Sequence, residues 1–265
     1  MADKLLVFIP CYNCAPQIPR VLRQFDDKAT AAHFSEILVL DNGSTDGTVA
    51  AAVDTARNHL SGITVTVGRN RANYNLGGSH KVAFGYAARN GFSHVVVLHG
   101  DDQGSIADLL PVLASGQHRE LDACLGARFM GRSRLIGYSA FRIFGNHVFN
   151  SLFSLRMARG VKDLGSGLNI FGRAVIDDKL ILNYADDLRF NVYLLLGLKA
   201  RQARFRFFPI SWREDDQISN VKMTSQALKT LALLWQSTVG KQTFWTTDHR
   251  AVRHAAYEFD VVHPS

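Results

Sequence analysis

Cysteine is scarce in this chain: three in 265 residues, at Cys11, Cys14 and Cys124. Three thiols build no disulfide framework, and zinc needs four ligands where Cys11 and Cys14 have no second CxxC or spaced His pair to help them. Long apolar runs are missing too. No stretch approaches the ~20 residues that span a bilayer, and the longest candidate, Leu228 to Trp235, is interrupted by Lys229. The opening MADKLLVFIP lacks the basic start and cleavage site of a signal peptide. No Pro/Gly/Ser-rich linker and no internal repeat divides the sequence. These absences read as a cytoplasmic chain whose membrane contact is peripheral. Lys and Arg also fail to form a basic run interleaved with aromatics, which argues against nucleic acid despite a net charge of +7. The excess suits a solvated surface, or attraction to phosphorylated ligands or anionic lipid. Basic positions are densest from Arg128 to Arg159 and from Lys199 to Arg213.

What is present is an alternation of two periods. Leu5–Ile9, Ile37–Leu40, Ile63–Val67 and Val95–Leu98 are apolar or β-branched runs of strand length. Between them lie helix-length segments at about Pro16–Asp27, Asp46–His59 and Gly78–Asn90. Strand, helix, strand in repetition predicts βαβ units and a mainly parallel sheet flanked by helices, an α/β fold of Rossmann-like type. From Leu121 the pattern loosens. Further strands are expected at Leu121–Gly126, Leu168–Phe171 and Ala203–Ile210, and helices at Tyr138–Leu155, Leu188–Leu196 and Ser225–Ser237. The last is amphipathic, with Leu, Ala and Trp on one side.

Three of the early strands end in polar or Gly-containing clusters, where open α/β sheets bind ligands. Asp41-Asn42-Gly43-Ser44-Thr45-Asp46 offers a carboxylate to a ribose or base, and it equally suits an ordinary turn with a Ser/Thr cap. In His99-Gly100-Asp101-Asp102-Gln103, the residues His99, Asp101 and Gln103 are candidate ligands for Mg²⁺ or Mn²⁺ held against a diphosphate, and a solvated acidic turn is the plain alternative. Cys11-Tyr12-Asn13-Cys14 follows the first strand; a redox role would leave the other clusters unexplained, and two small buried thiols beside a nucleotide account for it better.

Taken together the clusters resemble the family 2 glycosyltransferases, and within them the polyprenol-phosphate sugar transferases. Phe8-Ile9-Pro10-Cys11-Tyr12-Asn13 is similar to the family's P-x-Y-N-E, and Asp41 to Thr48 to its D-D-x-S-x-D-x-T. Asn75-Leu76-Gly77-Gly78 with Gly85-Tyr86-Ala87 resembles the helix behind the sugar-nucleotide, and His99 to Gln103 occupies the place of D-A-D-L-Q. Downstream, Ala127-Arg128-Phe129, Arg142 with Asn146 and Asn150, Asp163 to Leu168, and Arg213 with Ser219 and Lys222 follow in the family's order. The resemblance implies a GT-A fold over residues 1–222, with residues 223–265 as an amphipathic helix and polar tail packed on it. It implies a nucleotide-sugar donor, UDP- or GDP-linked, bound by Pro10, Tyr12, Asn13, Asp41, Gly77 and Gly100, and a divalent metal on His99, Asp101 and Gln103. Asp101 and Arg213 are the implied catalytic groups.

The chain departs from the pattern at Cys14, where the family has Glu, and at His99, where it has Asp. The closing loop lacks the family's Gly and adds Asp215 and Asp216. Two acceptors stay open. A polyprenyl phosphate arrives ionised and needs no base, with Arg128, Arg142, Ser219 and Lys222 to hold it. A saccharide hydroxyl needs a base, for which Asp187 is placed. A nucleotidyltransferase would show a Gly-rich loop after the first strand, which Pro10 to Pro16 is not. A catalytically weak nucleotide-binding subunit is the remaining alternative, on Cys14 and His99. The expected partners are thus a nucleotide sugar, a lipid phosphate or glycan, a peripheral membrane contact at the inner face and a second copy in a homo-oligomer.

Overall fold

Successive side chains of the first strand, β1 (Leu5–Cys11), enter two different cores. Leu5, Val7 and Ile9 pack on one face with Ile18, Leu22 and Ala52, whereas Leu6 and Phe8 pack on the other with Val82, Phe84 and Phe190. A strand buried on both faces needs a continuous apolar run, and LLVFI supplies it. The same holds for β2 (Glu36–Asp41) and β4 (His94–Leu98), buried along their whole length, while β3 (Thr64–Asn70) exposes only Thr64 and Arg69. The computed structural model describes residues 3–214 and 223–264.

With β5 (Ala123–Ala127), β7 (Leu168–Gly172), β8 (Phe205–Pro209) and β10 (Phe259–His263), these strands form an eight-stranded sheet in the order β10-β3-β2-β1-β4-β7-β5-β8. Most neighbours are parallel; β7 runs antiparallel to both β4 and β5, and β10 antiparallel to β3. The expected mainly parallel α/β sheet is therefore present, with every strand and helix read from the sequence in place to within a few residues among the described positions. The helices Ile18–Arg23 and Thr48–His59 cover one face, and Asn75–Arg89 and Phe190–Ala200 the other.

Two features were not legible. A short ladder joins β6 (Leu135–Ile136) to β9 (Trp212–Arg213), elements of two residues that carry no periodicity. The other is β10, which occupies part of what reads as a polar tail. Asp260, Val261 and Val262 are exposed and Phe259 and His263 partly buried, as suits an edge strand with one neighbour. It is held by Phe259, whose ring lies over Gly68 so closely that a Cβ there would sit 2.2 Å from Cδ2, and by Arg71, which pairs with Asp260 at 2.8 Å. The helix Met223–Val239 adds Leu233, and the following Lys241–Thr246 helix adds Phe244, to the core on the same side as Phe190.

The chain runs β1, β2, β3 outward in one direction and then returns to place β4 on the other side of β1. The carboxyl ends of β1 and β4 thus diverge into a crevice, the topological switch point where open α/β sheets take their ligands.

Candidate active site

A cleft of about 390 Å³ opens there. Its walls are the turn after β1 (Pro10, Cys11, Tyr12, Cys14), Asn42 after β2, Asn73 to Ser79 at the head of a helix, His99-Gly100-Asp101 after β4, and Leu188. Three residues at its edges, Asn13, Asn75 and Asp102, take left-handed φ angles of 49°, 57° and 58°. Asn and Asp tolerate that region better than other side chains, and such conformations concentrate at binding sites.

The amino-terminal wall is two loops zipped together. Asn13 accepts a hydrogen bond from the Thr45 amide (3.0 Å) through its side chain and donates its own amide to Ser44 Oγ (2.8 Å). The Cys14 amide donates to Thr48 Oγ1 (2.9 Å), and the Ala15 amide to Asp46 (3.0 Å). Asp41, 1% exposed, accepts from the amides of Gly43 and Ser44 and from Arg69 Nε at 3.1 Å. Asn42, unremarked in the sequence, ties this turn to the next by accepting from Asn70 (3.0 Å) and the Tyr74 amide (2.8 Å). Gly100 forms the floor: a Cβ there would meet Cys11 Sγ at 2.6 Å and Cys14 Sγ at 3.3 Å. The two thiols are buried beneath it, and Cys14 together with burial holds the Cys11 thiol well above its usual range. That environment keeps Cys11 protonated and inert. Gly77 does not line the cleft. It lets its helix approach Ala185 and Phe190, where a Cβ would lie 2.6 Å from Phe190 Cβ.

At the centre stands Asp101. It is the carboxylate that lines the cleft, and among the described residues no Arg or Lys pairs with it. Its Oδ1 accepts the Gln103 amide at 3.2 Å, its Oδ2 faces His99 Nδ1 at 3.9 Å, and burial raises its pKa to about 6. His99 packs against Gly167, partly buried; burial, and then the nearby Arg128, lower its pKa to about 4, so the ring is neutral. Its Nε2 is buried with no partner among the described residues. Two donors 3.9 Å apart lie within twice a ~2.1 Å metal–ligand bond, so Asp101 and His99 fit one divalent ion. No third His, Cys, Asp or Glu joins them among the described residues, which leaves the remaining positions to water and substrate phosphate. Among the described residues Gln103 makes its hydrogen bonds through its backbone, its carbonyl accepting from the Arg213 amide at 3.0 Å.

Asp102 is the residue sequence reasoning passed over. Only 9% exposed, it accepts from Arg20 Nε (2.6 Å) and Arg213 Nη2 (2.8 Å), so the arginine placed by sequence near the leaving group is anchored beside the candidate metal residues. The adjacent pair Asp101-Asp102 was the available signal: one carboxylate opens into the cleft while its neighbour is neutralised.

Set back from the cleft lining, on the side of His99 and Asp101, the chain is tied by ion pairs. Arg128 gives Asp163 a two-point fork at 2.8 Å from each of Nε and Nη2, with its backbone amide adding a third bond at 3.0 Å. Burial would drive a proton off this guanidinium, yet Asp163 holds it firmly charged. Arg142 pairs with Glu214 and stacks on Tyr138, 4.4 Å from the ring centroid. Asp187 is held by Arg189 at 2.9 Å; burial raises its pKa, but the hydrogen bonds from Arg189 outweigh it and leave it lowered. Its neighbour Asp186 accepts from the buried Lys81 at 2.7 Å and from Tyr257 at 2.9 Å. Ser219, Lys222, Asp215 and Asp216 lie outside the described residues.

A doubly covered, mainly parallel sheet with a carboxylate-bearing cleft at the β1/β4 switch point is the GT-A arrangement, and the molecule is a glycosyltransferase. The chain belongs to glycosyl transferase family 2, whose model matches residues 6–181. It is 25% identical over 187 residues to a polyprenol monophosphomannose synthase of Mycolicibacterium smegmatis, covering 69% of this chain and 67% of that one. The fold is similar to glucosyl-3-phosphoglycerate synthase of Mycobacterium tuberculosis, with a TM-score of 0.62 at 16% identity over 90% of this chain and 81% of the other. A structure of that enzyme with Mn²⁺ and UDP-glucose superposes with a TM-score of 0.59 at 15% identity over 90% and 80% of the two chains.

Proposed function

We propose that the cleft binds a UDP- or GDP-linked sugar and that the enzyme transfers the sugar, with inversion, to a polyprenyl phosphate at a membrane surface. The observation that carries this reading is Asp101, the cleft carboxylate that has no Arg or Lys partner among the described residues while Asp41, Asp102, Asp163 and Asp187 each have an arginine. A site with a partly buried carboxylate beside a neutral imidazole is prepared for a cation. Asp101 and His99 would hold a divalent metal there, with the imidazole favouring Mn²⁺ over Mg²⁺. When bound, that ion would neutralise the diphosphate leaving group.

The chain's own residues do the rest. Asn42, Asn73 and the Tyr12 ring border the space for the nucleoside, over a floor in which Gly100 packs without a Cβ on Cys11 and Cys14. An acceptor phosphate oxygen forms the new bond to the anomeric carbon as the bond to the diphosphate oxygen breaks, and the electron pair leaves with the nucleoside diphosphate. An ionised phosphate needs no base, which agrees with Asp187 being committed to Arg189. Arg142 and Arg213, with side chains 29% and 47% exposed, meet the incoming phosphate, while the more deeply set Arg128 positions the Asp163–Ser166 turn. The sequence relative named for a polyprenol acceptor supports this choice.

A second reading rests on the structural neighbours, one of which is solved with phosphoglyceric acid: a small phosphorylated hydroxy acid as acceptor. That acceptor needs a base, and Asp187 held low by Arg189 is a weak one. The test is release of nucleoside diphosphate from UDP- and GDP-sugars with Mn²⁺, adding polyprenyl phosphate or 3-phosphoglycerate. Stimulation by the lipid phosphate is expected. Stimulation by phosphoglycerate alone would replace the acceptor, and no turnover with any donor would end the enzymatic reading of this cleft.

A further inference from the structure

The helix Ala140–Met157 turns Asn150, Phe153 and Met157 inward. Its opposite side exposes Phe141 (75%), Phe144 (68%), Val148, Leu152 and Leu155 (83%). Steps of three and four residues put these on one stripe, and a stripe of that size and exposure marks an interaction surface. A shallow groove of about 490 Å³ runs along it, between Phe144 and Leu155. The helix Met223–Val239 has the same design. Thr230, Leu233 and Ser237 are buried, whereas Leu228, Leu231, Trp235 and Val239 are exposed. Arg156 joins the two helices, donating to Thr238 Oγ1 (2.9 Å) and to the Ser237 carbonyl (2.7 Å).

Charge selects the occupant. No Asp or Glu stands between Asp122 and Asp163, a stretch that carries Arg132, Arg134, Arg142, Arg156 and Arg159, and Lys229 is the lone charge on the second helix. A second copy of this surface would bring arginine against arginine. An anionic bilayer complements it: apolar side chains enter at the headgroup level and exposed arginines meet lipid phosphates. The stripe is also wired to the cleft. It follows β6, β6 pairs with β9, and the β9 residue Arg213 donates its amide to the Gln103 carbonyl.

We propose that the outward faces of these two helices form a docking surface for an anionic lipid bilayer, with Phe141, Phe144 and Leu155 as its principal inserted side chains. The proposal deepens the polyprenyl-phosphate reading and rests on it for the sense of the orientation, cleft mouth towards the membrane.

The test is flotation of the full chain with vesicles of phosphatidylcholine alone and of phosphatidylcholine mixed with phosphatidylglycerol, at low and high salt. The chain is expected to float with the anionic vesicles, to be released by salt, and to lose at least about tenfold of its bound fraction in the Phe144→Asp/Leu155→Asp double variant, with a smaller loss for Trp235→Asp. Sugar transfer to a short, water-soluble polyprenyl phosphate should be unchanged in both variants. Absence of vesicle binding, binding indifferent to the substitutions, or a dimer in solution that Phe144→Asp/Leu155→Asp dissociates would each overturn the docking proposal and leave the acceptor reading standing. Vesicle binding intact with no transfer to any lipid phosphate would instead remove the acceptor reading.

Discussion

The two sides of the cleft are held by different forces. The amino-terminal wall, from Pro10 to Ser79, is stitched mainly by backbone amides and neutral side chains: Asn13 with Thr45, Cys14 with Thr48, Asn42 with Asn70. The carboxy-terminal side, set back from the cleft lining, is stitched by charge: Arg128 with Asp163, Arg142 with Glu214, Arg213 with Asp102. A wall of neutral hydrogen bonds tolerates the loss of any one of them, since each contributes about 1 kcal/mol. A wall of partly buried ion pairs does not, because removing one partner strands the other charge away from water. Under the proposed function the first would serve as a rigid surface for a nucleoside, and the second would hold guanidinium groups in reserve, charged and oriented, until a phosphate competes for them.

The sharpest way to break that contrast is Asp163→Ala. It leaves Arg128, 13% exposed at its side chain, without its fork partner, and should lower stability by about 3–5 kcal/mol in denaturant unfolding. Replacing both partners by apolar residues, Arg128→Met with Asp163→Leu, should recover most of the loss. If the single substitution costs no more than an amino-terminal hydrogen bond does, the charged wall has no special standing.

Next in size is Asp101→Asn, with kcat expected to fall on the order of 10²–10³-fold. Stability should move the other way. Burial raises the Asp101 pKa to about 6, above its unfolded value, so ionisation at neutral pH opposes folding, and an uncharged Asn removes that penalty. A melting temperature that rises or holds while activity collapses identifies a functional carboxylate. A parallel loss of both would mark a structural one.

The same contrast explains what the sequence disclosed. The amino-terminal wall was readable because its residues sit at the ends of strands whose apolar runs announce themselves: Cys11 closes β1, and Asp41 closes β2. Their positions follow from local pattern and the general rule for ligand sites in α/β sheets. The ion pairs were not readable. Arg213 and Asp102 are 111 residues apart, and Arg142 and Glu214 are 72 apart, and nothing in either segment names the other. Hence the sequence marked Arg128 and Arg142 as acceptor-phosphate holders and Arg213 as catalytic without showing that each has a carboxylate already. The packing role of Gly77 was hidden for a related reason: a glycine needed for close packing on Phe190 looks the same in sequence as one needed beside a nucleotide.

A smaller effect is expected from Arg142→Ala, and it tests the reserve directly. With acceptor phosphate as the varied substrate, KM should rise about tenfold while the acceptor-independent hydrolysis of the donor is unchanged. Arg142→Lys keeps the charge but not the planar fork or the stacking on Tyr138, and should recover only part of the loss. An unchanged KM in Arg142→Ala would assign that arginine to Glu214 alone.

The smallest effect separates a strut from a ligand contact at Asn13. Its side-chain oxygen accepts from the Thr45 amide while its backbone holds a left-handed φ of 49°. Asn13→Ala loses both advantages and should cost about 1–2 kcal/mol, since the missing acceptor is worth about 1 kcal/mol and a Cβ without a local polar partner is disfavoured in that conformation. Asn13→Gly restores the conformational freedom without the acceptor, and Asn13→Asp restores the acceptor while keeping the conformation accessible. Stability should therefore rank Asp above Gly and Gly above Ala, with nucleotide affinity following the same order by a few-fold at each step. Affinity that instead falls steeply in all three, at unchanged stability, would show that Asn13 touches the nucleotide through its amide. The amino-terminal wall would then be a binding surface in its own right rather than a frame around one.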